Sequence, residues 1–156
     1  MREKLEFERL DDAVTYIKSL IDNGYQKTGE WNLAQCCEHL NYWITYPLDG
    51  FPNPGLFMGI MMWLMKLTIG KKQLNSILKD GFKDGIPTVP LTVVKPDSID
   101  DQAAFKKLRA SVQRFNNHQG AIVSSPLFGD MTKEIVTKLQ LRHFEHHLSF
   151  LISKAV

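Results

Sequence analysis

The chain has 156 residues, 44% hydrophobic content and a formal net charge of +2. That length and apolar fraction suit one globular domain, residues 1–156, with a real core. The mild charge argues against nucleic acid, which needs a concentrated basic face; Lys71-Lys72 and Lys106-Lys107-Arg109 read as solvated surface.

Met1–Glu8 is charged and lacks the apolar core of a secretory signal. The densest apolar run, Leu56–Met65, has ten residues, about half of the roughly 20 needed to span a bilayer. The expectation is a cytoplasmic protein with no membrane partner. Cys36 and Cys37 are adjacent and make a poor disulfide pair, which is consistent with a reducing compartment.

Four helices are predicted from periodicity. The first runs from Leu10 to Asp22 on the stripe Leu10, Ala13, Val14, Ile17, Leu20, Ile21, and Gly24 ends it. The second runs from Asn32 to Tyr46, with Asn32 as N-cap and Leu33, Cys36, Leu40 and Trp43 as its stripe; Pro47 is expected to stop it. The third begins after Ser98-Ile99-Asp100-Asp101, which resembles a capping box. Its stripe is Phe105, Leu108, Val112, Phe115, and Gly120 ends it. The fourth is capped by Asp130 or Thr132 and runs nearly to the C-terminus. Between the second and third lies a long stretch, Pro47–Asp97, with six of the seven prolines. Leu56–Ile69 within it reads as an extra helix and Thr88–Lys95 as extended chain. The fold class is all-α, a four-helix bundle with a long crossover between the second and third helices.

Histidines carry the chemistry. His143 and His147 are four apart on the predicted last helix, so both imidazoles can aim at one point. Ile135, Leu139, His143, His147 and Leu151 follow one i+4 row, which places the two histidines on a core-facing stripe. His39 lies on the flank of the second helix's buried stripe. Each alone reads as a hydrogen-bonded core histidine. Together they read as a metal site with an open position for water or substrate. His146 cannot point with its neighbour His147; it is either a surface residue or an acid–base or substrate contact at the site's edge. His118 complements the dipole of the third helix. Cys36 is a small buried residue before it is a ligand, and Glu38 and Glu145 are solvated carboxylates before they are supports. Phe57, Met58, Met61, Met62 and Trp63 either wall a pocket or belong to ordinary core or dimer packing.

Two stretches resemble the DinB-like (YfiT-like) superfamily of helical metalloproteins. Gly29-Glu30-Trp31-Asn32-Leu33-Ala34-Gln35-Cys36-Cys37-Glu38-His39-Leu40 is similar to its Trp-to-His-Leu second helix. Ser125-Pro126-Leu127-Phe128-Gly129 followed by His143-Phe144-Glu145-His146-His147-Leu148 is similar to its closing helix, above all in a branch known only as a domain of unknown function. The resemblance implies a four-helix bundle and a metal on His39, His143 and His147, with nickel, zinc or manganese as the divalent ion. It also implies homodimers, and a small-molecule substrate or low-molecular-weight thiol as partner. Characterised relatives include thiol-dependent S-transferases and a mycothiol-dependent isomerase. A metal-dependent thiol S-transferase is therefore the expected activity. The alternatives are a binding module without turnover and a structural protein with core histidines.

Overall fold

The computed structural model describes residues 4–85, 90–96 and 99–154, without the side chain of Leu91. The protein is mostly helical. Its helices are α1 (Leu10–Asn23), α2 (Leu33–Asp49), α3 (Leu56–Met65), α4 (Lys71–Asp80), α5 (Asp101–Asn117) and α6 (Lys133–Leu148). A π-helical turn, Lys66–Gly70, joins α3 to α4, and a 3₁₀ turn covers Pro90–Thr92.

α1 buries Leu10, Ala13, Ile17 and Leu20 of the predicted stripe, while Val14 and Ile21 are partly buried against the core. Gly24, at φ 74°, breaks it in a conformation that favours glycine. β1 (Tyr25–Lys27) then pairs antiparallel with β2 (Leu151–Ser153), Gln26 opposite Ile152. This ribbon departs from the all-α expectation. It also corrects the last helix, which ends at Leu148 and leaves Leu151 as a strand residue. Strands of three residues carry too little alternation to be read from sequence.

α2 is the most enclosed helix, with every residue from Leu33 to Asn41 buried. Its start is held twice. The Asn32 side chain accepts from the Gln35 N–H at 2.8 Å, and the Gln35 side chain accepts from the Asn32 N–H at 3.1 Å. Asp101 of α5 adds a carboxylate that accepts from the Ala34 N–H at 2.8 Å, a favourable charge at a helix N-terminus.

Pro47 does not stop α2, which runs on to Asp49 and ends at Gly50, φ 101°. A proline four residues past Trp43 leaves the Trp43 carbonyl without its usual helical donor. Gln140 of α6 replaces that donor, its amide reaching the Trp43 oxygen at 2.9 Å. The buried glutamine thus satisfies a carbonyl that would otherwise be stranded.

α5 is capped by Asp100, which accepts from the Ala103 N–H at 2.8 Å; Ser98 lies outside the described residues. The helix ends at Asn117, three residues before Gly120; the His118 backbone N–H meets the Phe115 carbonyl at 3.2 Å, and Lys133 supplies further donors. The Lys133 ammonium donates to Asn116 O and His118 O at 2.8 and 2.7 Å. Thr132 caps α6, accepting from the Ile135 N–H at 3.3 Å. The main core lies among α1, α2, α5 and α6, with Ile17, Leu40, Leu108, Val112, Phe115 and Phe144 fully buried. Lys107 is no mere solvated charge: it pairs at 2.7 Å with Glu38, which is buried.

A second, smaller core seats α4 on α6 through Leu74, Ile77 and Leu139. Gly70 is buried at the end of the π turn, where a Cβ would overlap the Leu127 carbonyl oxygen. Of the stretch expected to be extended, Thr88 and Val89 lie outside the described residues and Pro90–Thr92 form the 3₁₀ turn.

Candidate metal centre

α2 carries His39 and α6 carries His143 and His147. His39 and His143 are 2% and 8% exposed, and His147 is half-buried. The His143 Nε2 lies 3.1 Å from the Nε2 of His39 and 3.1 Å from the Nε2 of His147. All three ligand atoms lie within 4.8 Å of one another, close enough to hold one metal ion. Nitrogens about 2.0–2.1 Å from a shared zinc sit roughly 2.8–3.4 Å apart, from octahedral to tetrahedral angles. The two short separations match that spacing.

The protonation pattern fits the same reading. The Nδ1 of His39 is 3.1 Å from the Thr92 carbonyl oxygen. A carbonyl only accepts, so Nδ1 carries the proton and the Nε2 of neutral His39 presents a bare lone pair to the cluster. A ring nitrogen held this way from behind is the usual support of a metal-binding imidazole. Burial pushes His39 down to about 4, against the opposing effect of its Thr92 bond. His143 is pushed well below its ordinary value, first by burial and then by His147, His39 and His146. Both rings are therefore neutral near pH 7, the form that binds metal. One nitrogen, His143 Nε2, cannot satisfy two neighbouring nitrogens with a single proton. A cation among the three would.

Aromatic rings close the site. Trp31, from the loop before α2, stacks on His147 at 5.2 Å between centroids and 6° between planes, and meets His39 edge-on at 5.0 Å. Trp43 stands edge-on to His143 at 5.9 Å, and its indole Nε1 is buried without a hydrogen-bond partner among the described residues. Phe82, just past α4, lies 5.0 Å from His143. The predicted wall is not there: Phe57, Met58, Met61 and Trp63 are exposed, and no residue of α3 is buried. Ordinary core packing within the chain is ruled out for them by the same exposure. Trp31, Thr92 and Phe82 are the site-forming residues that periodicity does not reveal. Of these only Trp31 lies within a recognisable signal, the Trp-to-His-Leu stretch that carries the resemblance.

His146 is not part of the three-nitrogen cluster. It faces Asp84, Nδ1 to Oδ1 3.7 Å, with its ring 5.0 Å from that of His147 and close to Phe82 and Phe150. It occupies the edge of the site. Cys36 is a neutral thiol that burial pushes up to about 12; it approaches the His147 carbonyl at 3.9 Å and supports α6 instead of ligating. Glu38 and Glu145 are not solvated. Glu38 pairs with Lys107, and Glu145 accepts from the Phe7 N–H and from Arg142, each at 2.9 Å. His118 lies away from the cluster and its Nε2 meets the Ala121 carbonyl at 3.1 Å.

The family model described as a protein of unknown function (DUF1569) matches residues 1–154, and the chain belongs to that family. Comparison with curated proteins and with solved structures gives no match. No helix among the described residues is long and apolar enough to cross a membrane.

Proposed function

We propose that this DUF1569 chain binds a divalent metal through His39, His143 and His147 and acts as a metal-dependent thiol S-transferase on small electrophiles. In this reading it is a four-helix bundle of the DinB-like type, with α1, α2, α5 and α6 as the rods and residues 50–97 as the crossover. The observation that carries the proposal is the convergence of three Nε2 atoms from two helices, with the His39 tautomer fixed by the Thr92 carbonyl. Three imidazoles suit nickel or zinc better than manganese, which prefers oxygen ligands.

A cation held there would lower the pKa of a thiol or water at its remaining position to near neutrality. The chain's own residues set the surroundings. Trp31, Trp43 and Phe82 exclude water around the three rings, which strengthens electrostatic effects inside. The buried indole N–H of Trp43 is a donor available to an oxygen-bearing substrate. His146, at the edge beside Asp84, would in this reading take or give a proton. The thiol itself is an external co-substrate, because burial holds Cys36 and Cys37 in the neutral form.

The test is metal analysis of untagged protein purified without chelators, followed by transfer assays with common low-molecular-weight thiols. One metal per chain and metal-dependent transfer are expected. Stoichiometric metal without turnover across a broad electrophile screen would leave a binding module. No metal and no metal-dependent stabilisation would leave a helical protein with core histidines.

A further inference from the structure

The described structure leaves one feature unexplained by the metal centre. Leu56 and Phe57 are more than four-fifths exposed, Trp63 and Leu67 more than half, and Met58, Ile60, Met61, Leu64 and Ile69 between 39% and 53%. Large side chains carry roughly 150–250 Å² each, so these residues leave on the order of 800 Å² of apolar surface in one stretch. The largest patch on an ordinary monomer is about 300–600 Å². On a helical wheel, Trp63, Leu56, Ile60, Leu64, Phe57 and Met61 spread over a broad arc, much wider than the narrow seam of two paired helices.

Size alone fits either a second copy or a bilayer surface, since a standard interface covers about 800 Å² per partner. Charge separates them. The stretch from α3 through α4, residues 56–80, contains Lys66, Lys71, Lys72 and Lys79 against a single carboxylate, Asp80 at the last position of α4. Lys71, Lys72 and Lys79 are exposed on α4, directly beyond the apolar stretch. A two-fold interface would set this lysine-rich segment against itself, with one carboxylate per copy to meet four ammonium groups. An anionic bilayer meets both halves: acyl chains take the apolar arc, and lipid phosphates take the lysines. Phe57 and Trp63 are aromatic residues of the kind that sit at the headgroup level.

We infer that α3 and the turn after it form a peripheral docking element for an anionic lipid surface. A run too short to cross a bilayer is long enough to lie on one. The inference stands independently of the metal centre.

Flotation of the full-length protein tests it, with phosphatidylcholine vesicles containing about 30% phosphatidylserine and with pure phosphatidylcholine vesicles. Binding to the anionic vesicles is expected to exceed binding to the neutral ones by about tenfold or more, and to weaken as salt is raised. Lys71→Gln with Lys72→Gln should lower it by about tenfold or more. Phe57→Ser with Trp63→Ser should lower it to background while the circular dichroism spectrum is unchanged. Brominated lipid should quench the fluorescence of Trp63, and Trp63→Phe should remove that quenching. Equal binding to both vesicles, or none, overturns the inference. So does a stable dimer that Phe57→Ser and Trp63→Ser dissociate and that ignores vesicles, which assigns the face to a second copy.

Discussion

The two ends of the connection between α2 and α5 are built on opposite terms. At one end, Thr92 is buried and its carbonyl braces His39, so the segment becomes part of a closed cluster of imidazole and indole rings. At the other, α3 is bare of any buried residue, although it is the most apolar helix in the chain. Composition alone therefore misplaces both. The residues that look like core lie outside, and polar histidines lie inside. A buried histidine needs a partner for each ring nitrogen, and where those partners are other histidines the arrangement asks for a cation. An exposed apolar helix asks instead for something outside the chain.

The strongest way to break the comparison is at the inner end. His143→Ala should weaken metal binding by at least about 100-fold, since even outer supports of a metal site are worth 10–100-fold. Calorimetric titration of metal into the two proteins checks this, and substitution of Phe57 or Trp63 should leave the affinity unchanged. Next in size is the response to acid without metal. The His39 pKa is depressed to about 4 from an ordinary 6.5. The unfolded chain therefore binds the proton first, and stability is full above pH 6.5. It is lost as pH falls from 6.5 towards about 4, by on the order of 3 kcal/mol. Urea midpoints across that range should fall, and His39→Gln should flatten the slope.

Between the two ends stands Gly70. Adding a Cβ there forces overlap with the Leu127 carbonyl, so Gly70→Ala should cost about 1–3 kcal/mol. Hydrogen exchange should show the loss concentrated in α4. If protection instead falls around His39, the arm and the cluster form one cooperative unit and the contrast between them is weaker than drawn. An effect of similar size concerns the replaced donor on α2. Gln140→Leu should cost about 1–3 kcal/mol by stranding the Trp43 carbonyl. In a Pro47→Ala background the helix regains its own N–H and the cost should shrink, which a double-mutant cycle of thermal midpoints would reveal.

The sequence carries the inner end well because helical periodicity reports directions. Spacing of four puts His143 and His147 on one face, and the stripe of α2 puts His39 towards the core. The Asn32 cap was legible for the same local reason. What sequence could not show depends on contacts far along the chain. Thr92 meets His39 across 53 residues, and Gln140 meets Trp43 across 97. Pro47 reads as a stop only because its rescue by Gln140 is invisible from α2 alone. The β1–β2 ribbon is too short to have a period. Hydrophobicity told of the α3 run but not of its exposure, because apolar character does not specify whether the covering surface belongs to the same molecule.

The central claim is a shared cation, and X-ray absorption at the metal edge of untagged, chelator-free protein addresses it most directly. The account predicts one nickel or zinc per chain with a first coordination sphere containing three imidazole nitrogens at about 2.0–2.1 Å, and loss of that signal in His143→Ala. A spectrum dominated by oxygen ligands, or a metal content far below one per chain even after loading, would contradict it.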